Sequence, residues 1–306
     1  MFVSKRGVIL LPLISLYLVL LLFLAGCGST GTAGSSGVIN VVTAENFYGD
    51  VVKQLGGSHV SVTSILSDPN TDPHEFESNN ATAQAVSKAQ LVIENGLEYD
   101  SWMEKLLSAS PNPSRVVLTA GNIADHKLPD NPHIWYGINN MPTIATAITN
   151  ELKKLDSADA ATFDQNLTTF TTSLQPILQK ITDLKAKYDG TPVGLTETIY
   201  LYQTTPVGLN VLTPYAFQKA NAEGNDPPAD SVVTANDQIN SKAIKILIYN
   251  EQTITDITTN MQNEAKSLHI PIISVWETMP PGKTYQSWML GQLNNLGQAL
   301  ATATGK

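Results

Sequence analysis

Val38-Ile39-Asn40-Val41-Val42-Thr43, then Phe47 to Leu55, then Val60-Ser61-Val62-Thr63-Ser64-Ile65 are the residues that decide the fold. The first and third segments are short and rich in β-branched residues, as strands are. The second mixes apolar and polar positions as one face of a helix does. A strand, a helix and a strand in such close succession leave room only for a crossover between parallel neighbours.

The alternation continues outward from this unit. Leu91 to Ile93 and Val116 to Leu118 read as further strands, with helices at Ala81 to Ala89 and Tyr99 to Ser108. A second set follows, with strands at Val193 to Leu195, Val211 to Leu212, Ile244 to Tyr249 and Ile272 to Val275. Its helices are expected near Ala229 to Ile239, Ile254 to Ser267 and Thr284 to Ala301. The fold class is therefore α/β, with two lobes, each a mainly parallel sheet flanked by helices. The expected division is an amino-terminal lobe over 38–156, a linking helix over 157–189 and a carboxy-terminal lobe over 190–306.

The link is legible as a stripe. Phe163, Leu167, Phe170, Leu174, Leu178, Ile181, Leu184 and Tyr188 recur every three or four residues, the mark of one apolar helix face. Ser157 is placed to cap its start and Gly190 to end it. Pro176 predicts a kink in a single spine helix, or a break that turns the stretch into a helical hairpin.

Composition narrows the function. The 306 residues carry 27 acidic and 18 basic side chains, a net charge of −9. Nucleic-acid binding needs clustered Lys and Arg, so no nucleic-acid partner is expected and cationic ligands fit better. A single cysteine, Cys27, excludes a disulfide framework and cysteine-rich zinc modules. Lys5 and Arg6, the apolar run Gly7 to Leu24, and small residues before Cys27 make residues 1–26 an export signal or, if uncleaved, a membrane anchor. Residues 28–37 are Gly, Ser, Thr and Ala only, a flexible tether.

Two histidines share a setting. His74 in Asp72-Pro73-His74-Glu75-Phe76-Glu77 and His133 in Asn131-Pro132-His133-Ile134-Trp135 each follow a predicted strand and a proline that stiffens the loop. Loops beyond the carboxyl ends of strands are where α/β sheets bind ligands, so the two imidazoles can converge. His59, His126 and His269 lack that context and read as surface or structural residues. In the second half, Glu197 and Glu277 closely follow the strands at Val193 and Ile272. Each is a solvated loop carboxylate or helix cap, or else a buried acid that needs a cation.

Four stretches then carry a resemblance: Asp-Pro-His-Glu-Phe-Glu at 72–77, Asn-Gly-Leu-Glu-Tyr-Asp-Ser-Trp at 95–102, Asn-Pro-His-Ile-Trp at 131–135 and Thr-Met-Pro-Pro-Gly-Lys-Thr-Tyr at 278–285. With Leu24-Ala25-Gly26-Cys27, which is similar to a lipobox, the chain resembles the metal-binding lipoproteins of bacterial zinc and manganese ABC importers, the cluster A-I type. The resemblance implies lipidation at Cys27, two ligands from each lobe to one ion, and a helix bridging the lobes. Its ligand positions fall on His74, His133, Glu197 and Glu277. The last is commonly Asp, so the extra methylene bears on coordination geometry. The chain has no long His-rich loop between the first two ligands.

Two imidazoles and two carboxylates suit a divalent ion, Mn²⁺ or Zn²⁺, and the paired carboxylates tilt the expectation toward Mn²⁺. The expected function is non-enzymatic: an extracytoplasmic, lipid-anchored monomer that delivers the ion to an importer permease. A membrane-tethered, metal-dependent hydrolase with Glu75 or Glu77 as base is the alternative. Neither a His-Glu-x-x-His helix nor Gly-x-Ser-x-Gly is present to support it.

Overall fold

The computed structural model describes residues 1–2, 37–71, 73 and 76–306. The export segment with Cys27, and His74 and Glu75 on the first Pro-His loop, lie outside the described residues. The folded unit is Gly37–Lys306.

Its first sheet is built from β1 (Ile39–Glu45), β2 (Val60–Leu66), β3 (Leu91–Glu94) and β4 (Val116–Thr119), all parallel, in the order β2-β1-β3-β4. Helices α1 (Asn46–Gly56), α2 (Asn80–Lys88) and α3 (Ser101–Ala109) cross between the strands, and the short α4 (Ala120–Ile123) follows β4. The second sheet repeats the scheme with β5 (Pro192–Leu195), β6 (Asn210–Val211), β7 (Ile246–Asn250) and β8 (Ile272–Val275), ordered β6-β5-β7-β8 and again parallel. In both sheets the strand order reverses beside the first strand, which opens a crevice at the carboxyl ends. The α/β expectation with two parallel sheets is met.

Between the sheets run α5 (Met141–Leu155), α6 (Ala160–Ser173) and α7 (Gln175–Tyr188). Ser157 does not cap the spine. It lies in a 3-10 turn, Ser157–Asp159, that leads into α6, and Asp159 at the cap position makes no side-chain capping bond. At Pro176 the chain stays helical: Leu174, between α6 and α7, has φ −80° and ψ −16°. Pro176 falls in the first turn of α7, where its missing N–H leaves no hydrogen bond broken.

Helix α5 was not anticipated, although Met141, Ile144, Ala145, Ile148 and Leu152 form a buried stripe and Pro142 opens it. The second lobe adds α8 (Leu201–Val207), α9 (Tyr215–Ala222), α10 (Ala229–Asn240) and α11 (Asp256–Ser267). The last helix, α12 (Tyr285–Thr304), starts from a Thr284–Ser287 capping box and packs along α7. There Gly297 lets the two helices approach, since a Cβ at that position would lie 3.0 Å from Leu184 Cδ2.

One apolar core serves both sheets. It joins Phe47, Val51 and Leu55 of α1, Trp135 and Tyr136, the stripes of α5 to α7, and Leu293 and Leu296 of α12. Smaller clusters cover the outer faces of the two sheets. Polar links cross the same seam. Asn46 Nδ2 donates to the Met279 carbonyl at 2.7 Å while Met279 N–H donates to Asn46 Oδ1 at 3.0 Å. Tyr285 O–H donates to the Trp135 carbonyl and Tyr136 O–H to the Trp276 carbonyl, at 2.6 and 2.7 Å. A shared core with satisfied polar links resists wide separation of the lobes. Among the described residues no helix is long and apolar enough to cross a membrane.

Candidate metal centre

His133 reaches the crevice on the loop that follows β4 and α4, at the entry to a 3-10 turn over Ile134–Tyr136. Its ring is fully buried, edge-on to Tyr99 and Trp135 at 5.8 and 5.2 Å. Asn131, the first residue of the Asn-Pro-His motif, decides how it presents itself. The Asn131 amide nitrogen donates to the Thr198 carbonyl at 2.9 Å, so its Oδ1 is the atom left to face His133. That oxygen takes the His133 backbone N–H at 3.0 Å and lies 2.9 Å from Nδ1. Nδ1 therefore carries the proton, and Nε2 offers its lone pair.

Nε2 is buried and has no hydrogen-bond partner among the described residues. What faces it are two acids, Glu197 Oε1 at 3.5 Å and Glu277 Oε2 at 3.7 Å. Three acceptors turned toward one point repel unless a proton or a cation lies between them. Two donor atoms about 2.1 Å from a tetrahedral ion stand about 3.4 Å apart, close to the spacing seen. The three residues offer ligand atoms that all lie within 4.8 Å of one another.

Each carboxylate is held from behind. Glu197 follows β5 and caps the 3-10 turn Thr198–Tyr200, with Oε2 accepting from Ile199 N–H at 3.0 Å and Oε1 from Thr198 O–H at 2.9 Å. It is both a cap and a member of the cluster, because a cap uses only part of a carboxylate's acceptor capacity. Burial raises its pKa above the usual glutamate value; Glu277 pushes the same way and His133 opposes it. Glu277, two residues past β8, is fully buried. Tyr99 O–H donates to its Oε2 at 2.9 Å, and Asn250 Nδ2 and Thr253 O–H donate to its Oε1 at 2.7 and 3.1 Å. Gln252 Oε1 fixes the backbone N–H groups of Glu277 and Thr278 at 2.7 and 2.8 Å.

Asn250 and Tyr99 were not singled out from the sequence. Asn250 ends β7, and its one amide nitrogen reaches Glu277 at 2.7 Å and Glu197 at 3.3 Å, bracing the pair. The signal was present: a polar residue ending the apolar run Ile244 to Tyr249, as Glu197 and Glu277 follow theirs. Tyr99 lies within the Asn95–Trp102 stretch that carried the resemblance.

Further acids lie at the carboxyl end of the first sheet. Glu45, the last residue of β1, is buried with neither oxygen hydrogen-bonded among the described residues. Burial raises its pKa well above the usual value, and Asp100 and Glu94 add to the effect. Asp100 is raised to about 6 by burial, against the lowering effect of its bonds from Asn95 and Gly96 N–H at 2.6 and 2.7 Å. Tyr99 is raised as well, by burial first and then by Glu277.

The remaining histidines lie elsewhere. His126 is exposed beside Asp125, 3.8 Å away, and His269 has a left-handed backbone, φ +59°, just past α11. His59 faces Asp156 and Asp159.

The comparisons with known proteins agree with this architecture. The chain is 24% identical over 317 residues to the metal ABC transporter substrate-binding lipoprotein ScbA of Streptococcus cristatus, covering 93% of this chain and 98% of that one. It is 29% identical over 172 residues to the manganese-binding lipoprotein MntA of Halalkalibacterium halodurans, covering 54% and 57%. Among solved structures it is similar in fold to the periplasmic zinc binding protein TroA of Treponema pallidum, with TM-score 0.73, 16% identity and 85% and 98% of the two chains covered. The Mn²⁺ complex of FpvC from Pseudomonas aeruginosa matches with TM-score 0.73, 18% identity and 86% and 98% coverage. Residues 41–299 match the family described as ZnuA, zinc-uptake complex component A, periplasmic, and the chain belongs to that family.

Proposed function

We propose that this chain captures one divalent transition-metal ion in the crevice between its sheets and delivers it to an ABC importer permease. The observation that carries the proposal is the orphaned His133 Nε2, buried and aimed at two buried carboxylates. His133, Glu197 and Glu277 would hold the ion, with His74, which follows β2 in the sequence, as the fourth ligand. Relatives bearing names of metal ABC transporter lipoproteins, some for manganese and others for iron, support the cargo reading.

The site residues are suited to capture. Four protein ligands leave no obligatory position for an activated water, so the carrier reading is favoured over the hydrolase. Asn131 holds the imidazole in its metal-binding tautomer, and Asn250, Tyr99 and Thr253 hold the carboxylates, so little ordering remains when the ion arrives. Two carboxylates and two imidazoles accept either Mn²⁺ or Zn²⁺, and the paired oxygen ligands tilt the reading toward Mn²⁺. Lipidation at Cys27 would keep the monomeric carrier at the outer face of the cytoplasmic membrane, beside the permease.

Calorimetric titration of the chelator-stripped chain tests this reading. Mn²⁺ and Zn²⁺ are expected to bind tightly, and Glu277→Ala and His133→Ala to lose that tight binding without loss of fold. Unchanged binding in both variants, or chelator-sensitive turnover of a peptide or ester, would overturn it.

A further inference from the structure

We propose a second divalent-cation site on this chain, formed by His59, Asp156 and Asp159. It does not depend on the function argued above. The three residues come from two separate connections. His59 ends the 3-10 turn Gly57–His59 between α1 and β2, Asp156 follows α5, and Asp159 lies in the turn that opens α6. This places the cluster at the amino-terminal edge of the first sheet, whereas Glu197 and Glu277 follow the carboxyl ends of their strands. His59 Nδ1 lies 3.1 Å from Asp159 Oδ2 and 3.8 Å from Asp156 Oδ2, and the three ligand atoms fall within 4.8 Å of one another. Those separations bracket the spacing of about 3.4 Å between neighbouring donors on a tetrahedral ion.

Asp156 supplies the independent observation. Its side chain is only 8% exposed, and Oδ2, the oxygen turned toward His59, has no hydrogen-bond partner among the described residues. A buried carboxylate oxygen without a donor is costly, and a 3.8 Å imidazole is too distant to supply one. The two lysines that closely precede it in sequence are engaged elsewhere: Lys153 pairs with Asp164 at 2.7 Å and Lys154 with Glu151 at 2.6 Å. Even a protonated His59 would leave the cluster of two carboxylates with a net negative charge. The ring is held in place by Phe163 of α6, edge-on at 5.5 Å, which keeps Nδ1 toward the acids.

One imidazole and two carboxylates select a borderline divalent cation such as Zn²⁺, with water completing the coordination. Bound there, the ion ties the α1–β2 connection to the start of the spine. It also accounts for the failure of Asp159 to cap α6, since that carboxylate is turned to His59.

Zn²⁺ alone is the probe, added to the full chain purified in mild detergent after chelator treatment. Retained metal is counted by elemental analysis after gel filtration and by calorimetry. Wild type is expected to hold two equivalents, and His59→Ala and Asp159→Asn one each. Glu277→Ala is also expected to hold one, and Glu277→Ala with Asp159→Asn none. Should His59→Ala fold poorly, as judged by circular dichroism, the half-exposed position Asp159→Asn decides. If His59→Ala and Asp159→Asn keep the wild-type equivalents, the cluster is an ion pair only and the inference fails. A wild type with one equivalent that disappears in Glu277→Ala also ends it, while leaving the carrier reading intact.

Discussion

Asn131 Oδ1 lies 2.9 Å from His133 Nδ1 and, through that contact, determines which nitrogen of His133 faces Glu197 and Glu277. Partners behind a metal-binding imidazole fix its tautomer and basicity. Asn131→Leu is therefore expected to weaken Mn²⁺ and Zn²⁺ binding by roughly 10- to 100-fold. Asn131→Asp, which keeps an acceptor at Nδ1, should retain most of the affinity. Titration calorimetry on the two variants checks the order, and equal losses would contradict it.

Asn250 braces both acids from one amide nitrogen, at 2.7 Å to Glu277 and 3.3 Å to Glu197. Asn250→Ala leaves two buried carboxylates with one donor fewer each, at a cost of about 1–3 kcal/mol to the metal-free fold. A bound ion supplies the missing positive charge, so saturating Mn²⁺ should restore more melting temperature to Asn250→Ala than to wild type. Thermal unfolding with and without metal measures the difference.

Asp100 makes stability depend on pH in a definite direction. Its carboxyl titrates at about 6 in the folded chain against 3.8 ordinarily. Between those values the folded chain holds a proton that the unfolded chain has lost, so stability from this group is complete below the lower value and lost as pH rises through the upper one. Two pH units correspond to about 3 kcal/mol. Asp100→Asn should be less stable at pH 4, because an amide oxygen cannot accept both Asn95 and Gly96 N–H, and its gap to wild type should narrow by about that amount toward pH 7. Urea unfolding of the two proteins across this range is the check; a widening gap would be the wrong sign.

Metal binding should weaken in acid, and earlier than an ordinary glutamate would dictate. Glu197 is raised above 4.5 by burial, so protons compete with the ion at a higher pH. Affinity should fall about tenfold per pH unit for each proton displaced. Calorimetry between pH 7 and pH 5 gives the slope, and a flat profile would remove Glu197 from the ligand set.

Asn46 and Met279 exchange two hydrogen bonds across the seam between the sheets. Met279 lies two residues beyond Glu277, so Asn46→Ala should lower stability by about 1–3 kcal/mol and also lower metal affinity, though Asn46 is hydrogen-bonded to none of His133, Glu197 and Glu277. A variant that lost stability but bound normally would show that the seam does not position Glu277.

Much of this arrangement was legible before any coordinates. Short β-branched runs, and apolar stripes with a period near 3.6, set both sheets and most helices, because local pattern and tertiary burial agree there. Helix α5 was overlooked although Met141, Ile144, Ile148 and Leu152 carry the same period, since Pro142 reads as a loop signal until its first-turn position is seen. A Ser157 cap is the expected start of the spine, but the helix begins at Ala160, after the 3-10 turn Ser157–Asp159, whose Asp159 faces a residue a hundred positions earlier in the chain. Such a pairing has no local trace. The same holds for Asn250 and Tyr99: each is an ordinary residue at the end of a strand or loop until a segment distant in sequence, β8 of the same sheet for Asn250 and of the opposite lobe for Tyr99, places Glu277 against it.

Diffraction from crystals grown with Mn²⁺ and, separately, Zn²⁺, recorded at each metal's absorption edge, tests the capture site most directly. The expected result is an anomalous peak within about 2.3 Å of His133 Nε2 and of oxygens from Glu197 and Glu277. A protein that binds the metal tightly, with no peak between those three side chains, would contradict the assignment.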